Sequence, residues 1–219
     1  MPNIDSILQR LGRSRFFSCL DLRQGYHQIP LTPASREKTA FSTMDGHYEF
    51  MRLPFGLKDA PSAFQRIINQ VLSGLIGDVG FVYLDDIVVL GDTWETHCNN
   101  VRRVLGRLQQ SNLSIKLAKC SFFKAEVEYL GHVISEEGIR PQKKKIEAME
   151  GYPKPIILKE LQAFLGATNY YRKFISNFAD ISRPLIDLTR GCKMGKRNWR
   201  GHRKHWMHFT SCVQSCLRI

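Results

Sequence analysis

The sequence predicts an α+β fold, an antiparallel sheet with packing helices that is followed by a helical extension. Three features of its 219 residues lead there. Apolar runs of strand length recur up to Pro141, amphipathic stretches of helical period separate some of them, and beyond Pro141 only helical spacing continues.

In chain order, IDSILQRL reads as a short helix with Asn3 as its N-cap. FFSCLDL is a strand pattern that ends on an acid, Asp21. RQGYHQIPL turns through Gly25 into an extended segment, where Pro30 and Pro33 argue against a helix. TAFST (39–43) and HYEFMRL (47–53) form a hairpin pattern with Asp45-Gly46 at the turn. Pro61 suits the first turn of a helix, and Ala63, Phe64, Ile67, Ile68, Val71, Leu72 and Leu75 continue it at helical spacing to about Leu75. GFVYLDDIVVLG, bounded by Gly80 and Gly91, predicts two short strands joined over Leu84–Ile87. Asp92 and Glu95 resemble a capping box ahead of a buried stripe of Trp94, Cys98, Val101, Val104, Leu105 and Leu108. KCSFF and EVEYLGHVIS are two further extended segments. KKKIEAMEGY is a short basic helix, and YPKP (152–155) a rigid joint. A longer helix from about Leu158 carries Leu161, Phe164, Leu165 and Phe174.

A hydrophobic share of 43% and a charged share of 24% suit a globular chain with a real core. The net charge of +12 favours a polyanionic partner, nucleic acid first. The excess is uneven, because residues 191–219 hold seven Lys or Arg and no acid, leaving 25 basic against 20 acidic side chains before them. No apolar run approaches the ~20 residues that span a bilayer. The opening MPNIDSILQRLG lacks the apolar core of a signal peptide, and six cysteines without a C-x-x-C pair point to reduced thiols. An intracellular protein with no membrane partner is expected.

The chemistry concentrates in FVYLDDIVVLG, residues 81–91, where Asp85 and Asp86 interrupt a strand-forming apolar run. Adjacent like charges repel, and a carboxylate buried without a partner is costly. An isolated Asp-Asp at a turn is usually just a solvated turn. Placed at a hairpin tip beside Asp21, at the end of a neighbouring strand, the pair gains a purpose. Three carboxylates on one sheet edge suit hard cations such as Mg²⁺, which leave positions open for phosphate.

These residues carry a resemblance. YLDDIVV resembles the Y-x-D-D box of reverse transcriptases, and FFSCLDLRQGYHQIPL the preceding motif with the first catalytic aspartate. TAFSTMDGHYEFMRLPFGLKDAPSAFQRIINQVL is similar to the fingers–palm stretch of gypsy-type long-terminal-repeat (LTR) retrotransposon polymerases. So are KCSFF, VEYLGHVISEEGI and LQAFLGATNYYRKFISNFADISRPLIDLT, and the match runs from about Pro2 to Thr189 with the motifs in order.

The resemblance implies an RNA-directed DNA polymerase domain from the pol polyprotein of a gypsy-type LTR retrotransposon. The alternative is a catalytically inactive nucleic-acid-binding remnant of such a polymerase. The implied fold is a right-hand polymerase palm with partial fingers and a helical thumb or connection extension. Residues 1–15 would be a fingers remnant or lead-in helix, 16–140 the palm with part of the fingers, 141–190 the thumb and connection helices, and 191–219 an aberrant basic tail.

Asp21, Asp85 and Asp86 are the implied catalytic triad. Asp21 and Asp85 would be the main ligands of two Mg²⁺ ions (or Mn²⁺), with Asp86 a weaker contributor and the Leu22 carbonyl assisting. The primer 3′-hydroxyl would attack the α-phosphate of a dNTP, and pyrophosphate would leave. By the same resemblance Tyr26 selects deoxyribose, Phe55 and Gly56 lie against the dNTP, Tyr83 supports the floor of the site, and Gly131 and His132 grip the primer end. Lys143, Lys144 and Lys145 could face nucleic-acid phosphates or be a solvated charged face. The implied partners are an RNA or DNA template with its primer strand, dNTP, and RNase H and integrase modules of the same polyprotein. A cytoplasmic particle and the nucleus both fit.

Two departures from the family stand out. Its upstream fingers segment, whose basic residues hold the triphosphate, has no counterpart in residues 1–15 beyond Arg10, Arg13 and Arg15. A truncated polymerase is therefore expected. After ADISRPLIDLTRG the chain reads CKMGKRNWRGHRKHWMHFTSCVQSCLRI, where the family continues into an amphipathic helix. His202, His205, His208, Cys212 and Cys216 are zinc-capable types at no common spacing. A basic nucleic-acid-binding tail is a second reading. A frameshift is preferred, because the codons for HWMHF moved back one nucleotide must read Leu-Asp-Ala-(Leu/Phe), like the helix the family has there.

Overall fold

The computed structural model describes residues 2, 4–11 and 14–190. The Asn3 cap, Arg13 and all three readings of the 191–219 tail lie outside those residues. The chain forms two units, one of residues up to 130 with 134–139, the other of residues 131–133 with those from 140 on.

The first unit is built on a four-stranded sheet. Its strands are β1 (Phe16–Asp21), β4 (Gly80–Tyr83), β5 (Asp86–Gly91) and β6 (Ser121–Lys124), in the order β4-β5-β1-β6 with every pairing antiparallel. The shorter hairpin of β2 (Phe41–Thr43) and β3 (Gly46–Tyr48) stands apart from it.

Both faces of the sheet are covered, which explains the near-continuous apolar runs. On one face Leu20, Val82, Ile87 and Val89 pack with α3 (Ala60–Val71) and α4 (Trp94–Gln110), through Phe64, Ile68, Val101, Val104 and Leu108. On the other, Phe17, Phe81, Val88 and Leu90 meet Ile7, Leu8 and Leu11 of α1 (Ile4–Leu11). The period-2 alternation of β5 thus feeds two cores at once.

Between β1 and β6 the register shifts, and Phe123 takes a positive φ of 52°. Ser18 Oγ accepts the Phe123 N–H at 3.1 Å and lies 2.7 Å from Nε2 of the fully buried His97. Burial lowers the pKa of His97, an effect partly offset by the Leu90 carbonyl, although its Nδ1 completes no hydrogen bond of good geometry. The three described cysteines, Cys19, Cys98 and Cys120, are free thiols.

Several expected elements are re-drawn. Pro33 does not exclude a helix but starts one, α2 (Pro33–Arg36), because the missing N–H costs nothing at that position. The β2–β3 turn centres on Met44-Asp45, with Gly46 already paired to Thr43. The helix after Pro61 closes at Val71, short of Leu75. Thr93, not Asp92, caps α4 by accepting the Thr96 N–H. EVEYLGHVIS is two strands, β7 (Glu126–Tyr129) and β8 (His132–Ser135), which form a three-stranded sheet with an unforeseen β9 (Gly138–Pro141).

The second unit contains α5 (Lys143–Glu150), α6 (Leu158–Tyr170) and α7 (Phe178–Thr189). Phe174 falls outside α6, in a 3₁₀ turn over Arg172–Phe174. Leu161, Phe164 and Leu185 form one core there, and Met149, Tyr171 and Ile175 another.

Candidate active site

β1 ends on Asp21 and β5 begins on Asp86, and the antiparallel register sets these two residues directly opposite each other. Asp85 precedes Asp86 in the two-residue turn from β4, whose last pair is Tyr83 with Asp86. The tip therefore lies one residue earlier than expected, since Asp86 and Ile87 belong to a strand and only Leu84 and Asp85 form the turn. Three carboxylates nonetheless meet at one end of the sheet.

The turn is held from two sides. The Leu22 N–H donates to the Asp85 carbonyl at 3.1 Å, which ties the turn to the end of β1. From α3, Gln65 Oε1 accepts the Leu84 N–H at 2.7 Å, and its Nε2 donates to the Val82 carbonyl at 3.2 Å. Leu84 has φ of 54°, a left-handed conformation that a side chain other than Gly adopts at a cost.

The carboxylates feel one another. Partial burial, then Asp85 and Asp21, push the Asp86 carboxyl above the ordinary Asp range, while Lys119 pulls it back. Lys119 Nζ lies 3.2 Å from Asp21 Oδ2, and the Lys116 N–H donates to the Asp21 carbonyl at 2.8 Å, so the same short segment steadies both ends of that residue. A cleft of about 540 Å³ opens beside Asp21 and Asp86, lined also by Lys119, Lys124, Tyr129 and Leu130. Burial and Asp86 raise the Cys19 thiol in this cleft to about 12, which leaves it inert as a nucleophile. Tyr129 donates to the Asp86 carbonyl at 3.4 Å, and its phenol is raised by burial and by the same carboxylate.

Carboxylate oxygens are the donors a hard, oxygen-seeking cation takes, and an ammonium already pairs with Asp21. Among the described residues no group of three His, Cys, Asp or Glu side chains is placed to hold a metal ion together. Mg²⁺ does not require one, because it binds through one or two carboxylates and fills its octahedron with water and phosphate. The residues fit such an ion.

Beside the carboxylates, Tyr26 is fixed as a flat wall. Its ring stacks on Phe64 at 4.9 Å with 17° between planes and meets Phe55 at 4.9 Å. Burial and then Asp85 raise its phenol. Gly25 makes this possible, because a Cβ there would come within 2.7 Å of the Phe64 ring. Phe55 is 63% exposed, and Gly56 has φ of 91°, which explains the glycine without any close neighbour. Tyr83 is half-buried under the turn, against the cluster of Phe81 and Val88.

The remaining expected residues belong to the second unit. Gly131 has φ of 76°, and its carbonyl accepts the Tyr171 hydroxyl at 3.0 Å. His132 is buried among the rings of Tyr170, Tyr171 and Phe174, 5.3–5.6 Å away. Lys143, Lys144 and Lys145 are exposed on the first turn of α5.

Gln65 and Lys119 were not anticipated. A glutamine inside the apolar stripe of α3 is a polar residue where burial is expected, and that signal could have found it. Lys119 is one of many surface lysines in sequence, and only the fold brings it to Asp21.

The sequence matches the family described as Reverse transcriptase (RNA-dependent DNA polymerase) over residues 1–134. It is 47% identical to the retrovirus-related Pol polyprotein from transposon opus of Drosophila melanogaster, over 87% of this chain and 19% of that polyprotein. With the Pol polyprotein from transposon gypsy of the same organism the identity is 44%, over 87% of this chain and 18% of the relative. Among solved structures, the foamy viral protease-reverse transcriptase in complex with an RNA/DNA hybrid superposes with a TM-score of 0.87 at 27% identity, over 98% of this chain and 29% of that one. The chain thus spans about a fifth of the length of the curated relatives it matches.

Proposed function

The chain belongs to the reverse transcriptase (RNA-dependent DNA polymerase) family, and on that premise we propose that it is the RNA-directed DNA polymerase domain of an LTR retrotransposon, transferring nucleotides from dNTPs to a primer 3′-hydroxyl. The observation that carries this reading is the pairing of Asp21 with Asp86 across β1 and β5, with Asp85 in the adjoining turn. Residues 16–140 would then be the palm with part of the fingers, and 141–190 the thumb and connection helices.

Asp21 and Asp85 would hold the divalent ions, with Asp86 and the Leu22 carbonyl at their margin. Two Mg²⁺ ions bound there would neutralise charge on the attacking and leaving oxygens of an in-line displacement. Asp21 is held on β1 by the Lys116 N–H and screened by Lys119, so its carboxylate stays in place at modest electrostatic cost. Tyr26, immobilised against Phe64, presents a rigid edge that would exclude a ribose 2′-hydroxyl. Phe55, exposed beside it, would stack on the incoming base. The backbone of Gly131 and His132, braced by Tyr171, would meet the primer strand, and the α5 lysines its phosphates. An RNA or DNA template with its primer, dNTP, and RNase H and integrase modules elsewhere in the polyprotein are the partners this reading entails.

Mg²⁺-dependent primer extension on an RNA template tests it. The Asp85→Asn variant should lose more than about 100-fold, since even outer-shell partners of a metal cost 10–100-fold. Extension by the parent chain no greater than by Asp85→Asn would leave the alternative, a nucleic-acid-binding remnant without turnover.

A further inference from the structure

We infer that Gln65 is a positioning residue, whose carboxamide stands in for a missing strand along the edge of β4 and thereby fixes where Asp85 and Asp86 stand. The inference rests on the polymerase reading of those two carboxylates.

β4 is the outer strand of the sheet order β4-β5-β1-β6, so one row of its backbone groups has no strand to pair with. In a strand, the carbonyl of one residue and the N–H of the residue two further on point the same way. Val82 and Leu84 are such a pair. Gln65 answers both, accepting from Leu84 at 2.7 Å and donating to Val82 at 3.2 Å, as a peptide group of a neighbouring strand would. Its second amide proton goes to Asn69 Oδ1 at 2.9 Å, one helical turn on, which sets which way round the amide sits. Gln65 is 3% exposed, so water cannot replace these bonds if they are lost.

The location gives the bridge its meaning. Leu84 takes φ of 54° at the first position of the turn, and no neighbouring turn residue shares the positive φ. That is the pattern of a type II′ turn, where glycine is preferred. A leucine held there stores strain that something outside the turn must offset. A side-chain bond to the Leu84 backbone comes from Gln65 at 2.7 Å, and Asp85 and Asp86 follow directly in the chain. If the bridge goes, the turn relaxes and the carboxylates move with it, while the two cores that stabilise the sheet stay largely intact.

Only an amide of this length supplies one donor and one acceptor at that spacing. Methionine fills the same volume and supplies neither.

The test uses the full 219-residue chain and Mn²⁺ alone, followed by water-proton relaxation, with Asp85→Asn marking the binding that belongs to the triad. Gln65→Met should still melt cooperatively and should bind Mn²⁺ about 10–100-fold more weakly, the range for an outer-shell partner. Leu84→Gly, which removes the conformational cost, should restore part of that loss in the Gln65→Met background. A glutamine that merely fills space would not be rescued this way. In the wild-type chain the Leu84 amide proton should exchange as slowly as those of β4 and β5, a measurement that needs no variant to fold. An unprotected Leu84 amide, or a cooperatively melting Gln65→Met chain that binds Mn²⁺ as the wild type does, overturns the inference alone. Absence of Asp85-dependent Mn²⁺ binding in the wild type overturns the polymerase reading and this one with it.

Discussion

The two hairpins of the first unit, β2–β3 and β4–β5, have turns of the same length and opposite construction. β2–β3 has favourable local chemistry, with Gly46 after the turn and the Asp45 N–H donating to Thr43 Oγ1 at 3.2 Å. Yet its strands are exposed, and Phe41, Tyr48 and Phe50 stack mainly on one another. β4–β5 has a poor turn, with leucine where glycine is preferred, but strands buried on both faces and a tip bonded from α3 and β1. The candidate site is built on the second plan. Local preference makes a hairpin, whereas tertiary contacts hold one to the tolerance that carboxylates sharing a metal require.

If that contrast is right, damage to the two hairpins should differ in size. Ile87→Ala, beside Asp86 and 1% exposed, should cost about 2–5 kcal/mol in denaturant unfolding. A cost near zero would mean that the sheet does not hold the site.

A smaller effect should appear at the far edge of the same sheet. Burial holds the pKa of His97 below the ordinary histidine value of 6.5. Stability should be full above that value and lost as pH falls through the lowered one, because the unfolded chain takes up a proton that the native state refuses. His97→Gln should flatten the change in melting temperature between about pH 7 and pH 5. An unchanged slope would assign the pH dependence elsewhere.

The smallest effect belongs to the exposed hairpin. Tyr48→Ala should cost no more than the about 0.5–1.5 kcal/mol of one aromatic pair, read by the same denaturant titration. A larger loss would show that β2–β3 is integrated into the core after all.

The same contrast explains what could be read in advance. Asp21, Asp85 and Asp86 were legible because acids inside strand-forming runs violate the hydrophobic pattern, and the surrounding motifs made that violation specific. The α+β class followed from where period 2 gives way to helical spacing. Turn positions were less legible, since the Asp45-Gly46 signal favours one centre and the pairing of Thr43 with Gly46 imposes another. The division of EVEYLGHVIS into β7 and β8 depends on Leu130 and Gly131 both adopting positive φ, which the apolar run conceals. Lys119 and Gln65 act across 98 and 19 residues of sequence, a distance over which no local pattern reports.

On the proposed reading, the strained, externally braced hairpin and the end of β1 together form one cation site. Anomalous diffraction from crystals of the chain soaked in Mn²⁺ tests this directly. The account predicts a peak within ligand distance of both Asp21 and Asp85, absent from Asp85→Asn crystals. Manganese bound only elsewhere, or held at Asp21 without Asp85, would contradict it.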